Sequence, residues 1–216
     1  MTVSIRKARP GDAGFVAWVM LAAGRSHLPW GFWDQYVMGT ERECLDFLKH
    51  VALASRPHPF HYSTFTLAEE NGSAVAGLSG YDPLTLGIDT YLEALPEIFH
   101  KAGWPAERQN AAFERIGSFL TCLSDDAPGA WIIESVAALP EARRRGITTM
   151  LLKDALGRAG KAGYALAQIT VLIGNEPAQR AYEKVGFRPA GEKRHPGFEA
   201  TYGSPGMRRL LMELQP

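Results

Sequence analysis

The chain has 216 residues, enough for one large domain or for a domain carrying an elaborated insertion. Hydrophobic residues make up 46% and charged residues 21%, an ordinary globular composition that excludes a disordered chain. Lysine plus arginine and aspartate plus glutamate balance at 23 each, so the chain lacks the basic excess of a general nucleic-acid binder and any anion site is local.

The N-terminus, Met1 to Arg6, has no charged-then-apolar leader pattern, and no run of about eighteen apolar residues follows anywhere. A soluble, cytoplasmic protein with no membrane partner is expected. Val3 and Ile5 alternate with Ser4 and Arg6, predicting a first strand over Thr2–Arg6. Asp12 is placed to cap a helix over Ala13–Ala23, with Val16, Val19, Met20 and Ala23 on one face and Gly24 as its stop. The stretch Ser26–Gly39 is rich in aromatics: Trp30, Phe32, Trp33 and Tyr36. Thr40 then precedes a helix with Cys44, Phe47, Leu48 and Val51 at helical spacing, which the prolines at 57 and 59 end. Cys44 and Cys122 are too few for a disulfide framework, lie on apolar helix faces, and suit a reducing compartment. His58 and His61 lie in this proline-broken loop without a neighbouring carboxylate or cysteine, so no metal site is read there.

Thr64–Glu69 and Ala74–Tyr81 flank Asn71-Gly72, a strong type I′ hairpin signal, and are expected as antiparallel neighbours. From about 83 to 128 the period turns helical (Leu92, Leu95, Ile98, Phe99; then Phe113, Ile116, Phe119, Leu120), predicting an insertion of two or three helices broken at Gly103-Trp104-Pro105. Ala130–Ala138 reads as a buried strand, followed by a loop to Arg145 and a helix with Ile147, Met150, Leu151, Ala155 and Ala159 in one stripe. Tyr164–Ile173 is a second buried strand. Asn175 caps a short helix that accepts Pro177 in its first turn and ends at Gly186. Phe187–Lys193 and Met207–Leu214 complete the sheet.

The chemistry concentrates between Val136 and Thr149: a strand end, a short turn, Arg143, Arg144 and Arg145, then Gly146 and the start of a helix. The first turn of a helix offers unpaired N–H groups and partial positive charge. Gly146 removes a side chain where a phosphate would meet Cβ, and the arginines add attraction and charge-assisted hydrogen bonds. Together they describe a pyrophosphate cradle. The spacing fits neither a Walker A loop nor the three-glycine dinucleotide fingerprint.

Arg143-Arg144-Arg145-Gly146-Ile147-Thr148 resembles the Gln/Arg-x-x-Gly-x-Gly/Ala motif of the GNAT superfamily of acetyl-CoA-dependent N-acyltransferases, with threonine in the last position tightening the cradle. Asn175-Glu176-Pro177-Ala178 through Tyr182 to Gly186-Phe187 is similar to that family's Asn-x-x-Ala-x-x-x-Tyr-x-x-x-Gly-Phe. The resemblance is firm over Ala130–Phe187, loose over residues 1–82 and absent across the insertion. It implies one domain over 1–216 of α/β class, with a mixed, mostly antiparallel sheet flanked by helices and splayed at its parallel pair, the insertion lying between strands three and four.

The resemblance further implies that the end of the fourth strand (Val136, Ala137, Ala138) pairs with the pantetheine arm, and that the backbone at Arg144–Thr149, including Ile147 and Thr148, holds the pyrophosphate. By the same likeness Asn175 contacts the cofactor arm and Tyr182 sits near the thioester sulfur as general acid. Acetyl would pass directly to a primary amine, without a protein nucleophile or a metal. Glu134, inside an apolar strand, is the candidate base, acting directly or through water, because burial raises a carboxyl pKa. Trp30, Trp33 and Tyr36, and Tyr81-Asp82 at the end of the third strand, are candidates for the acceptor side. Packing is the alternative for the aromatics, and a turn role for Asp82. The insertion is expected to cover the acceptor side or to form a homodimer surface. A non-catalytic CoA-binding module is the rival reading.

Overall fold

The structure, a computed structural model, describes residues 3–214. Its elements in chain order are β1 (Val3–Lys7), α1 (Ala13–Arg25), α2 (Phe32–Val37), α3 (Glu41–Ala52), β2 (Phe65–Glu70) and β3 (Ser73–Tyr81). The insertion follows as α4 (Ile88–Lys101), α5 (Ala106–Arg115) and α6 (Gly117–Cys122). Then come β4 (Ala130–Ala138), α7 (Ile147–Lys161), β5 (Leu166–Leu172), α8 (Glu176–Val185), β6 (Arg188–Arg194), α9 (Pro196–Tyr202) and β7 (Gly206–Glu213). The expected strand order holds, while α2 forms within the aromatic segment, where no helix was expected. Thr2, expected in the first strand, lies outside the described residues.

Seven strands form one sheet in the order β1-β2-β3-β4-β5-β7-β6, in which β4 and β5 are the parallel pair. The β2–β3 hairpin turns through Asn71 (φ 52°) and Gly72 (φ 80°), the two positive dihedrals that a type I′ turn requires. One face of the sheet carries α1 to α5 over a core that includes Val16, Met20, Trp33, Tyr36, Phe47 and Leu95. The other face carries α7 and α8 over Leu78, Ile133, Leu151, Ile169 and Phe187. Strand alternation therefore assigns Ser79, Tyr81, Ile132 and Glu134 to the first face, and Leu78, Trp131 and Ile133 to the second.

Two local expectations are corrected. Asp12 does not cap α1; its carboxylate takes both Arg6 guanidinium nitrogens (2.7 and 2.9 Å) and the Arg9 N–H (2.7 Å), a stronger charge-assisted set than one helix amide. Gly24 does not stop α1, which runs on to Arg25 and turns at Ser26 with φ 59°. Gly24 serves close packing instead, since a Cβ there would lie 2.9 Å from the Trp33 ring. The Thr40 capping box with Glu43 forms as the sequence suggests. Helix α9 was not anticipated: it is seven residues long, starts at proline and is capped by the His195 ring, too short for a periodic signal.

The insertion is anchored on the aromatic segment. Arg115 donates to the carbonyls of Gln35 (2.9 Å) and Tyr36 (2.7 Å), and Arg108 to that of Val37 (3.2 Å) while stacking over Trp104. These guanidinium groups satisfy the carbonyls that the end of α2 leaves open and bind α5 to it.

Candidate active site

The head of α7 presents a run of turned backbone amides. Arg144 (φ 59°) and Gly146 (φ 79°) are both left-handed, which turns successive amides toward one side, the geometry of an anion-binding nest. Among the described residues no acceptor is bonded to the amides from Arg144 to Thr149; the first helical bond runs from the Met150 N–H to the Gly146 carbonyl. No side chain caps the helix, and a Cβ at Gly146 would meet nothing within 4 Å, so the approach is open. Of the three arginines, two are already engaged: Arg145 pairs with Glu70 (2.5 Å) and Arg143 donates to the Ala138 carbonyl (3.2 Å). Their guanidinium groups brace the loop on β2 and β4, while Arg144 is left exposed beside the nest without an ion pair among the described residues.

Beside this nest the sheet opens. The ladder between β4 and β5 covers Ala130–Ile133 against Leu166–Ile169 and stops, so the β5-facing edge of Glu134–Ala138 has no strand partner. A bulge marks the departure: Ser79 faces Glu134 and Gly77 faces Ala137, leaving Leu78 opposite both Ser135 and Val136, with Ser135 at φ 51°. Val136, Ala137 and Ala138 thus form a free strand edge that leads straight into the nest.

Glu134 stands on β4 just before that bulge, on the face covered by α1 to α5. Burial, with Asp126 adding like charge, raises its carboxyl to about 7, although the neighbouring Tyr81 phenol partly offsets the rise. Tyr81, one of the expected acceptor-side residues, is therefore brought to Glu134, and its own pKa is driven upward by burial and by that carboxylate. Asp126, held through its carboxylate by the Gln168 amide (3.5 Å), was not anticipated; it precedes β4 in a loop with no motif to announce it.

Tyr182 lies on the opposite face, in the cluster formed by α7, α8 and the sheet, and is 6% exposed. Burial alone raises its phenol pKa, with no hydrogen bond or charge acting on it. Asn175 caps α8 through the Ala178 N–H (3.2 Å), as expected. Its amide also donates to the Ser26 hydroxyl (2.6 Å) at the end of α1, a tie between residues 149 apart in the chain.

The remaining candidates separate. Trp33 (3% exposed) and Tyr36 (1%) are wholly within the aromatic core, stacked among Phe32, Phe47, Phe60 and Trp104; packing is their role, and neither presents a surface to an acceptor. Trp30 is partly buried, with its indole N–H on Gln35 (3.1 Å). Asp82 holds the turn after β3 through the Leu84 N–H (2.9 Å), and its charge helps raise the pKa of the nearby Tyr164 phenol. His58 is buried and neutral, its Nε2 on the Val51 carbonyl (3.1 Å), its Nδ1 accepting from Phe60, and burial lowering its pKa to about 4.

Comparisons with known proteins bear on this geometry. The sequence profile of the acetyltransferase (GNAT) family matches residues 27–187. No curated protein matches. Among solved structures, one described as an acetyltransferase superposes with a TM-score of 0.70 at 19% identity, covering 98% of this chain and 100% of its own. An N-acetyltransferase from Staphylococcus aureus Mu50 gives 0.69 at 19% identity, covering 97% and 100%. The yncA protein of Salmonella typhimurium, solved with its cofactor acetyl-CoA, gives 0.55 at 14% identity, covering 100% and 96%. At these identities the structural likeness establishes the fold, and the profile match over most of the length establishes kinship: the chain belongs to the GNAT family of acetyltransferases.

Proposed function

We propose that the protein transfers the acetyl group of acetyl-CoA to a primary amine, with Tyr182 as general acid and Glu134 as general base. The observation that carries this reading is the run of unbonded amides from Arg144 to Thr149 at the head of α7, continuous with the free edge of Val136–Ala138. A pyrophosphate fits the former, and the amide-bearing pantetheine arm fits the latter as an added strand. Asn175, at the head of α8 just after β5, would meet the arm through its amide. The thioester then falls in the gap between β4 and β5, with Glu134 on one face of the sheet and Tyr182 on the other.

The proton balance suits the two groups. An acceptor ammonium with a pKa near ~10 must lose a proton before its nitrogen attacks the carbonyl, and the departing thiolate must gain one. A carboxyl held at about 7 is ionised enough at neutral pH to take the first, directly or through water, yet basic enough to matter. A phenol kept protonated by burial donates the second. The face that Glu134 shares with Tyr81 is the side on which the acceptor approaches.

The deciding experiment is release of free thiol from acetyl-CoA over a panel of primary amines, with CoA affinity measured in parallel. Turnover on at least one amine supports the proposal. Tight CoA binding with no turnover on any acceptor would refute it in favour of a non-catalytic CoA-binding module.

A further inference from the structure

Beneath the C-terminal half of α7, on the face away from Glu134, a cavity of about 220 Å³ is lined by Lys7, Thr66, Leu78, Trp131, Ala155 and Arg158, among others. It is distinct from the nest at the head of α7: Arg158 lies eleven residues beyond Ile147, roughly 16 Å along the helix. Two of its lining side chains carry buried donors with no acceptor among the described residues, the Trp131 Nε1–H and the Arg158 Nε–H. Interiors rarely leave such donors unpaired, and two in the lining of one cavity point to a ligand that accepts from both.

The surroundings define that ligand. Gly80 leaves room beside the buried indole N–H, because a Cβ there would lie 2.8 Å from Nε1. The Arg158 Nη2 is used elsewhere, on the Thr66 hydroxyl (2.7 Å) and Asp154 (2.8 Å). Asp154 thereby balances the guanidinium charge, and the Lys7 ammonium supplies one net positive charge. Burial and the charge of Arg158 lower the Lys7 pKa, which an anion in the cavity would restore. Every polar side-chain group lining the cavity is able to donate, the Thr66 hydroxyl included; the walls at Leu78, Ala155 and Ala162 are apolar. The volume is below that of pockets for drug-sized molecules and suits a few non-hydrogen atoms.

We propose that this cavity binds a small monocarboxylate, its oxygens taking the Trp131 and Arg158 N–H groups and the Lys7 ammonium, its apolar tail lying along Leu78 and Ala155. A single surplus charge and apolar walls favour such an ion over phosphate, whose two charges and polar surface would be left partly unmatched.

The test uses the full chain labelled with 15N and follows its indole N–H resonances, Trp131 being assigned by its loss in Trp131→Phe. Acetate, butyrate and benzoate are titrated at constant ionic strength, with chloride and phosphate as comparators. The expected result is a saturable shift confined to Trp131, tighter for butyrate than for acetate, and weakened roughly tenfold or more in Arg158→Gln and in Lys7→Met. Lys7 ends the edge strand β1, so Lys7→Met carries the comparison if Arg158→Gln does not fold. An equal response to chloride or phosphate, a shift that does not saturate, an unchanged affinity in the folded variants, or no shift at all overturns the proposal. No turnover is read, so this outcome is independent of the acyl-transfer reading.

Discussion

Replacing Glu134 by glutamine separates the cost of its environment from its use. The carboxyl stands at about 7 against an ordinary 4.5, chiefly because burial penalises the ionised form. Since the folded protein holds this proton more tightly than the unfolded chain, stability falls as pH rises from 4.5 to about 7 and then stays at its lowered level. The full loss corresponds to about 3 kcal/mol. Glutamine keeps the shape and never ionises. Glu134→Gln is therefore expected to match the parent near pH 4.5 and to exceed it at pH 8 by up to about 3 kcal/mol, or roughly 6–12 °C in Tm for a chain of this size. Differential scanning calorimetry across pH 4.5–8 reads this directly. Activity should move the other way: kcat/KM of the parent falls about tenfold per pH unit below its acid limb near 7, whereas the variant is slow throughout and has lost that limb. A Tm difference that does not grow with pH refutes the buried-carboxyl argument; an acid limb that survives in the variant refutes the base assignment.

Tyr182→Phe should lower kcat by about 10²–10⁴-fold in the thiol-release assay with little change in Tm, because the phenol hydroxyl makes no hydrogen bond that the change would remove. Arg144→Ala should raise the KM for acetyl-CoA by roughly tenfold, and Arg145→Ala by less, since the Arg145 guanidinium is already held by Glu70. Gly146→Ala places a Cβ on a residue at φ 79° and should cost about 1–2 kcal/mol by urea unfolding, with weaker CoA binding by calorimetry. Ser135→Val puts a β-branched side chain at φ 51°; a loss of about 1–3 kcal/mol in the same unfolding measurement is expected, with CoA affinity falling as the bulge relaxes.

What the sequence made legible is what local chemistry decides. The Asn71-Gly72 turn, the Thr40 capping box, the Asn175 cap and the strand Ala130–Ala138 stand where expected because each follows from the residues beside it. The nest was legible for the same reason, since Gly146 and a helix start fix its backbone. What escaped depends on partners distant in the chain. Nothing near Arg145 announces Glu70, nothing near Asn175 announces Ser26, and the meeting of Tyr81 with Glu134 needs the register of β3 on β4. The aromatics at 30–36 offered both packing and an acceptor role; the burial of Trp33 and Tyr36 favours packing for those two. Asp12 shows the reverse error, a sound local cap overruled by an arginine from the neighbouring strand.

The bulge at Ser135 ties these observations to function. A regular β4 would continue its parallel ladder beyond Ile133, pairing its remaining amides with Thr170–Leu172 and closing the gap. The extra residue instead increases the local twist and bends Val136–Ala138 away from β5, so the sheet loses ladder bonds at the point where a ligand's amides can replace them. Because side chains alternate along a strand, the extra residue resets which side chains face each side beyond Glu134, while Glu134 itself stays toward α1–α5 in register with Ile132. One irregular residue thus opens the sheet and frees the strand edge beside the raised carboxyl. This irregularity sets the unpaired backbone polar groups beside the rigid start of a fifteen-residue helix, so that binding need not order a loop first.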